Sequence, residues 1–284
     1  KQTFISLITY IRKSFARKRA RRVFSEYGTR VETFRFADNS TVEFANWLNP
    51  LVPTKTVTQH ELDLFAKYIP KGTMVIDVGA NIGDLTVPMA IAAGNDGIVL
   101  GIDANPHVFS VLKENAALNK GKANIVPLLL AAAEKETTFY YASSEASMSN
   151  GGLIEDYNDN RHGKYKLRES IKGVHLGNYL EEHYSEWLPK LSLIKTDTEG
   201  WDYFVLKTLE PIIARHKPVI IAEIFYDIPT ETRHAIFDLL DKYGYTLLNA
   251  GLFHTEAPID TREIRTKEEM PKVGLTENII AIQQ

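Results

Sequence analysis

The chain opens with Phe4, Ile5, Leu7, Ile8, Ile11 and Phe15 at roughly helical spacing, which predicts an amphipathic helix. Hydrophobic and polar positions then alternate over Arg30–Phe36 and again over Thr41–Trp47, around the turn-rich Ala37-Asp38-Asn39-Ser40. That pattern predicts a β-hairpin, ended by Asn49-Pro50 and Pro53. Thr58 followed by Glu61 has capping-box spacing, and Leu62, Leu64, Phe65 and Ile69 give the helix after it an apolar side. Pro70-Lys71-Gly72 stops that helix. From there strands and helices alternate. Strands are expected at 73–78, 98–102, 124–130, 191–196, 218–223, 245–248 and 279–282, with one added at 137–142. Helices are expected at 83–93, 106–119, 175–184, 203–214 and 230–242; Pro106 suits a first helical turn. Two polar stretches, 143–170 and 250–276, read as loops with little regular structure.

Alternation of this kind implies an α/β fold of Rossmann-like type, a mainly parallel twisted sheet with helices on both faces. The N-terminal helix and hairpin, residues 1–57, are expected to form an extension on a main domain at 58–284. With 284 residues, 44% of them hydrophobic, the chain can bury one large core. The apolar runs are too short to span a bilayer, and no signal peptide is expected, because the N-terminal apolar segment is short and broken by polar residues.

Charge changes the picture at one end. The net charge is −3, but Lys1, Arg12, Lys13, Arg17, Lys18, Arg19, Arg21 and Arg22 fall within residues 1–22, which hold no acid. A basic amphipathic helix suits an anionic membrane surface or a polyanion. The plainer reading is a solvated helix that packs its apolar stripe on its own domain. The absence of cysteine rules out disulfides, thiolate metal sites and cysteine nucleophiles, and it agrees with a reducing compartment. The expected location is cytoplasmic, with peripheral membrane contact through residues 1–22.

The chemistry concentrates at strand ends. Asp77-Val78-Gly79-Ala80-Asn81-Ile82-Gly83 closes one apolar run with an acid and a glycine-spaced turn, and Asp103 closes the next. A strand, a tight glycine turn and an acid at the tip of the next strand make a nucleoside half-site. The turn lacks the paired Gly-x-Gly that seats a pyrophosphate, and Asp77 stands where a pyrophosphate would be repelled. A cationic ligand fits better, and S-adenosylmethionine carries a sulfonium and no phosphate. Asp77 would then act near the methionine end, and Asp103 would accept from the ribose hydroxyls. A ligand-free strand–turn–helix is the alternative.

These motifs, with residues 101–119 and Ile194-Lys195-x-Asp197-x-Glu199-Gly200-x-Asp202, resemble the FkbM-type S-adenosylmethionine-dependent methyltransferases over about residues 58–282. The last motif is the specific one; the family often has Glu where Asp202 stands. The resemblance implies Asp77, Gly79, Asn81, Gly83, Asp103 and Ala104 around the donor. It also implies O-methyl transfer to a sugar hydroxyl of a glycan or glycolipid, or to a polyketide or other small-molecule hydroxyl.

Methyl transfer to an alcohol needs a positioned nucleophile and a proton acceptor or a metal. Asp197 is the first choice for base, Glu199 the second; Lys195 would hold Asp197 ionised or, with a lowered pKa, take a proton itself. Glu199 could equally cap the next helix. Glu223, His162, Tyr157 and His254 are candidate acceptor contacts, His254 lying with Phe253 and Glu256 in the second loop. A divalent metal is left open, with Asp197 and Glu223 as its ligands. Nucleic acid is not expected: the catalytic region is acidic, and the Asn/Asp-Pro-Pro-aromatic motif of base N-methyltransferases is absent. A nicotinamide dehydrogenase and a non-enzymatic binding module are the other classes the pattern admits.

Overall fold

The computed structural model describes residues 2–251 and 261–283, with side chains from Tyr10 onward. Helix α1 spans Gln2–Ala20. Strands β1 (Thr29–Arg35) and β2 (Thr41–Trp47) form the expected antiparallel hairpin, with Arg35 opposite Thr41 and Thr29 opposite Trp47. Its turn is held by Asp38, whose carboxylate accepts from the Ser40 N–H at 2.9 Å. Helix α2 (Gln59–Tyr68) starts with the predicted capping box: the Thr58 hydroxyl accepts from the Glu61 N–H, and Glu61 accepts from the Thr58 N–H.

The alternating region supplies β3 (Met74–Val78), α3 (Thr86–Ala93), β4 (Ile98–Asp103), α4 (Pro106–Leu118), β5 (Ile125–Ala132), β6 (Thr137–Ser143), β7 (Gly152–Ile154), β8 (Tyr165–Val174), α5 (Leu176–His183), β9 (Leu191–Thr196), α6 (Asp202–His216), β10 (Val219–Ile224), α7 (Thr230–Asp241), β11 (Tyr245–Gly251), β12 (Arg262–Ile264) and β13 (Glu277–Gln283). One sheet of eleven strands runs β12-β11-β13-β10-β9-β3-β4-β5-β8-β6-β7. Its centre, β10 to β8, is parallel, and both edges are antiparallel.

Two expectations need correction. The stretch 143–170 is not all loop: it holds β7 and the first half of β8, which pairs with β6 on one side and β5 on the other. The stretch 250–276 carries the short β12 and a turn of 3-10 helix at Lys267–Glu269. Residues Phe253, His254 and Glu256 lie outside the described residues.

Each strand of the parallel centre sends alternate side chains into two cores, as period two requires. Met74, Ile76 and Val78 meet α5, α6 and α7; Val75, Val99 and Leu193 meet α2, α3 and α4. Val42, Phe44 and Trp47 of the hairpin join the second core, so the hairpin is continuous with the main domain. Asn115 of α4 fastens it. Its side-chain oxygen accepts from the Ala45 N–H at 2.7 Å, and its amide donates to the carbonyls of Ala45 and Ile82. Asn119 does the same for Glu43. The end of α1 is also tied down: the Ala146 and Ser147 N–H groups donate to the Arg21 and Ala20 carbonyls. No helix among the described residues is long and apolar enough to cross a membrane.

Candidate active site

The carboxyl ends of β4, β3 and β9 lie side by side, and the turns leaving them enclose a cavity of about 450 Å³. After β3 the chain reverses at Gly79, whose φ is +79°. A Cβ at Gly79 would stand 1.8 Å from the Asp197 carbonyl oxygen, so only glycine lets these two strand ends approach. Gly83 is a packing glycine: a Cβ there would press on Leu112 of α4 at 3.0 Å.

At the β4 end, Asp103 accepts one N–H on each carboxylate oxygen, from Asn81 and from Asn105, both at 2.8 Å. The two bonds fix the carboxylate while leaving lone pairs on both oxygens free for a ligand. Burial raises the Asp103 carboxyl to about 6, against the pull of those two N–H groups. Gly79, Asn81, Asp103 and Ala104 all line the cavity. Asp77 and Gly83 do not line it.

Asp77 lies beneath the cavity floor, fully buried. The Thr86 hydroxyl donates to it at 2.6 Å, and Lys195, its register partner across β9, donates at 3.1 Å. Lys195 reaches Asp197 as well, at 3.4 Å. Burial works to lower the Lys195 ammonium, but the Asp77 and Asp197 carboxylates outweigh it and hold it well above its ordinary value. Lys195 is therefore a fixed cation between two acids, and the lowered pKa that a lysine base needs is not found.

Asp197, Glu199 and Lys195 line the far end of the cavity. Glu199 and Gly200 both take positive φ, +51° and +104°, which folds the chain back before α6. Asp202 holds this bend. Its buried carboxylate accepts from the Thr198 N–H at 3.3 Å and the Gly200 N–H at 3.4 Å, and burial raises it to about 6. Glu199 is thus an exposed acid at the rim. Glu223, at the end of β10, does not line the cavity. One of its carboxylate oxygens is buried without a hydrogen-bond partner, and burial, with Asp197 and Asp202 nearby, pushes its carboxyl up to about 8.

His162 lines the cavity; Tyr157 does not, its ring packing edge-on against Tyr140. Among the described residues no three Asp, Glu or His side chains gather in a way that could hold a metal ion. Sequence reasoning missed several lining groups. Lys55 reaches from the extension to bond Asp84 at 2.5 Å, a contact between distant segments that no local pattern signals. Trp201 and Phe204 stand at the rim; Trp201 is an unassigned position of the third motif, and Phe204 lies two residues past its end.

A family model described as the methyltransferase FkbM domain matches residues 77–247, well over half of the chain. The chain belongs to the FkbM methyltransferase family. This is a family of S-adenosylmethionine-dependent enzymes, so membership implies that donor. The site fits it: an acid with open lone pairs at the β4 tip, a cavity continuous to β9, and acids in excess of cations around a space for a positively charged group. Over 63 residues the FkbM chain is 46% identical to the tRNA (guanine(37)-N(1))-methyltransferase of Saccharomyces cerevisiae. That match spans 22% of the chain and only 12% of the yeast protein. The fold is similar to methyltransferase FkbM from Methylobacillus flagellatus (12% identity, 77% of this chain and 50% of that one, TM-score 0.43). It is also similar to an S-adenosylmethionine-dependent O-methyltransferase from Thermotoga maritima (10% identity, 89% and 78%, TM-score 0.41).

Proposed function

We propose that this FkbM methyltransferase transfers a methyl group to a hydroxyl, on a sugar of a glycan or glycolipid. The observation that carries the reading is Asp197. It follows β9, on the other side of β3 from Asp103 at the end of β4, with its carboxylate steadied by an ammonium that cannot itself serve as base. The donor, when bound, supplies a methyl carbon on a positively charged sulfur with a good leaving group. The chain then has two tasks: to align an acceptor oxygen with that carbon and to remove its proton. Asp197 takes the proton as the new C–O bond forms, and Glu199 at the rim orients the incoming hydroxyls. The acid-rich rim favours a neutral, polyhydroxylated acceptor over a polyanion.

The short likeness to a tRNA methyltransferase supports a second reading, transfer to a ring nitrogen of an RNA base. Both readings, and a small-molecule hydroxyl, are separated by one assay. Methyl-labelled donor is offered with glycosides, lipid-linked saccharides, phenols and tRNA. Label entering a sugar ether that survives nuclease and is lost in Asp197→Asn supports the proposal. Label on a base of tRNA contradicts it. The same assay with and without a chelator settles metal dependence.

A further inference from the structure

We propose that Trp201 and Phe204 form an acceptor platform that stacks the apolar face of a sugar ring at the mouth of the cavity, an inference that rests on the O-methyltransferase reading above. Single exposed aromatic side chains are ordinary, but adjacent rings left open at the mouth of a cavity form an apolar patch of the kind that binds a ligand. Trp201 is 55% exposed and Phe204 48% exposed, yet both line the cavity. Their rings stand 5.3 Å apart at 46°, and Tyr203 backs Phe204 at 5.6 Å.

The position of Trp201 is built into the backbone. The two left-handed residues before it fold the chain over, and the buried Asp202 carboxylate holds that fold through the N–H groups of Thr198 and Gly200. Gly200 packs against the turn after β10, where a Cβ would meet Ile228 at 3.0 Å. The indole is therefore carried on a rigid bend two residues from Glu199 and four from Asp197. It does not sit on a free loop.

Part of the wall is polar. Ser149, Asn150 and His162 line the same cavity and continue into a second groove of about 670 Å³, which Arg17 and Arg21 border. A cavity that offers aromatic rings together with amide, hydroxyl and imidazole groups matches a ligand with an apolar face and a polar edge. A pyranose has such a character, with C–H bonds on its face and hydroxyls around its edge. Stacked on Trp201, the sugar would turn its hydroxyl edge toward Asp197 and Glu199. The phenolic or wholly apolar alternatives would leave the polar wall unpaired.

Trp201 supplies its own readout. The chain has three tryptophans, of which Trp47 is buried and Trp187 half-buried. Emission of the protein saturated with S-adenosylhomocysteine is titrated with methyl glycosides of glucose, mannose, galactose and rhamnose, and separately with guanosine. The proposal expects at least one glycoside to change the emission saturably, and Trp201→Phe to abolish the change. For the responding glycoside, Trp201→Ala should raise the acceptor KM about tenfold or more, as loss of a stacked ring surface does. Trp201→Phe should recover much of that KM, and affinity for S-adenosylhomocysteine should stay as in the unaltered protein. A protein that binds S-adenosylhomocysteine but shows no glycoside response, or responds to guanosine instead, overturns the platform and leaves the donor site standing. A protein that does not bind S-adenosylhomocysteine overturns the methyltransferase reading itself.

Discussion

The Lys195 ammonium lies 3.1 Å from the Asp77 carboxylate, and both side chains are almost wholly buried, Lys195 in the cavity wall and Asp77 behind it. Strand pairing puts them opposite each other, so the pair is fixed by the register of β3 and β9. Removing one partner leaves the other charge buried without compensation. Lys195→Met is expected to cost about 3 kcal/mol or more of stability, read from urea unfolding. The double variant Asp77→Asn/Lys195→Met should cost less than Lys195→Met alone. Equal or greater loss in the double variant would show that the pair is not the source of the effect.

Donor-site affinity should depend on pH through Asp103. Its carboxyl titrates near 6 in the free chain, and ribose hydroxyls donate best to the ionised form. Affinity for S-adenosylhomocysteine is therefore expected to rise about tenfold between pH 5 and pH 7, with the increase flattening above. Asp103→Asn should bind more weakly and show a flat profile by calorimetry. A wild-type profile in that variant would remove Asp103 from the donor site.

The free protein should lose stability as pH rises. Asp202 and Glu223 are raised to about 6 and about 8, whereas carboxyls of an unfolded chain titrate near about 4. Between those values the native state keeps protons that the unfolded state has released, so stability falls with rising pH. The contribution is complete below the unfolded value and is lost as pH passes each folded value. Tm should be highest in mild acid and decline toward pH 8. Glu223→Gln, which stays neutral, should remove the part of the decline between pH 6 and 8. If its Tm follows the unaltered protein across that window, Glu223 is not the group responsible.

The basic helix offers a further test. Tyr10, Ile11 and Phe15 are exposed on α1 beside Arg12, Lys13, Lys18 and Arg19, a pattern suited to an anionic bilayer surface. Changing those four cations to Glu should abolish flotation with vesicles containing phosphatidylserine, while leaving S-adenosylhomocysteine affinity unchanged. Equal flotation of the altered protein would confine α1 to packing against its own domain, where its last turn is already bonded to Ala146 and Ser147.

Strands β3, β4, β9 and β10 were legible because each is an apolar run with an acid or a glycine at or next to its end. The hairpin was legible from its alternation of hydrophobic and polar positions, but its docking was not. That depends on Asn115 and Asn119, which meet it across 70 and 76 residues of chain. Strand β8 was hidden because Glu169-Ser170 interrupts the alternation of Tyr165, Leu167 and Ile171, and its partners β5 and β6 are what stabilise it. Asp103, Asp197 and Glu199 could be read from their places at strand ends. Asp77 could be placed at a strand end but not read as buried, because the cation that makes its burial tolerable, Lys195, is 118 residues away.

The cavity lined by Asp103 and Asp197 is expected to hold a sulfonium donor. Isothermal titration of the protein with S-adenosylmethionine, S-adenosylhomocysteine and NADH tests it most directly. Both adenosyl ligands should bind and NADH should not, and Asp103→Ala should lose at least about tenfold, the size expected when a charged hydrogen-bond acceptor is removed. Binding of NADH in place of the adenosyl ligands, or adenosyl affinity that Asp103→Ala leaves untouched, would contradict it.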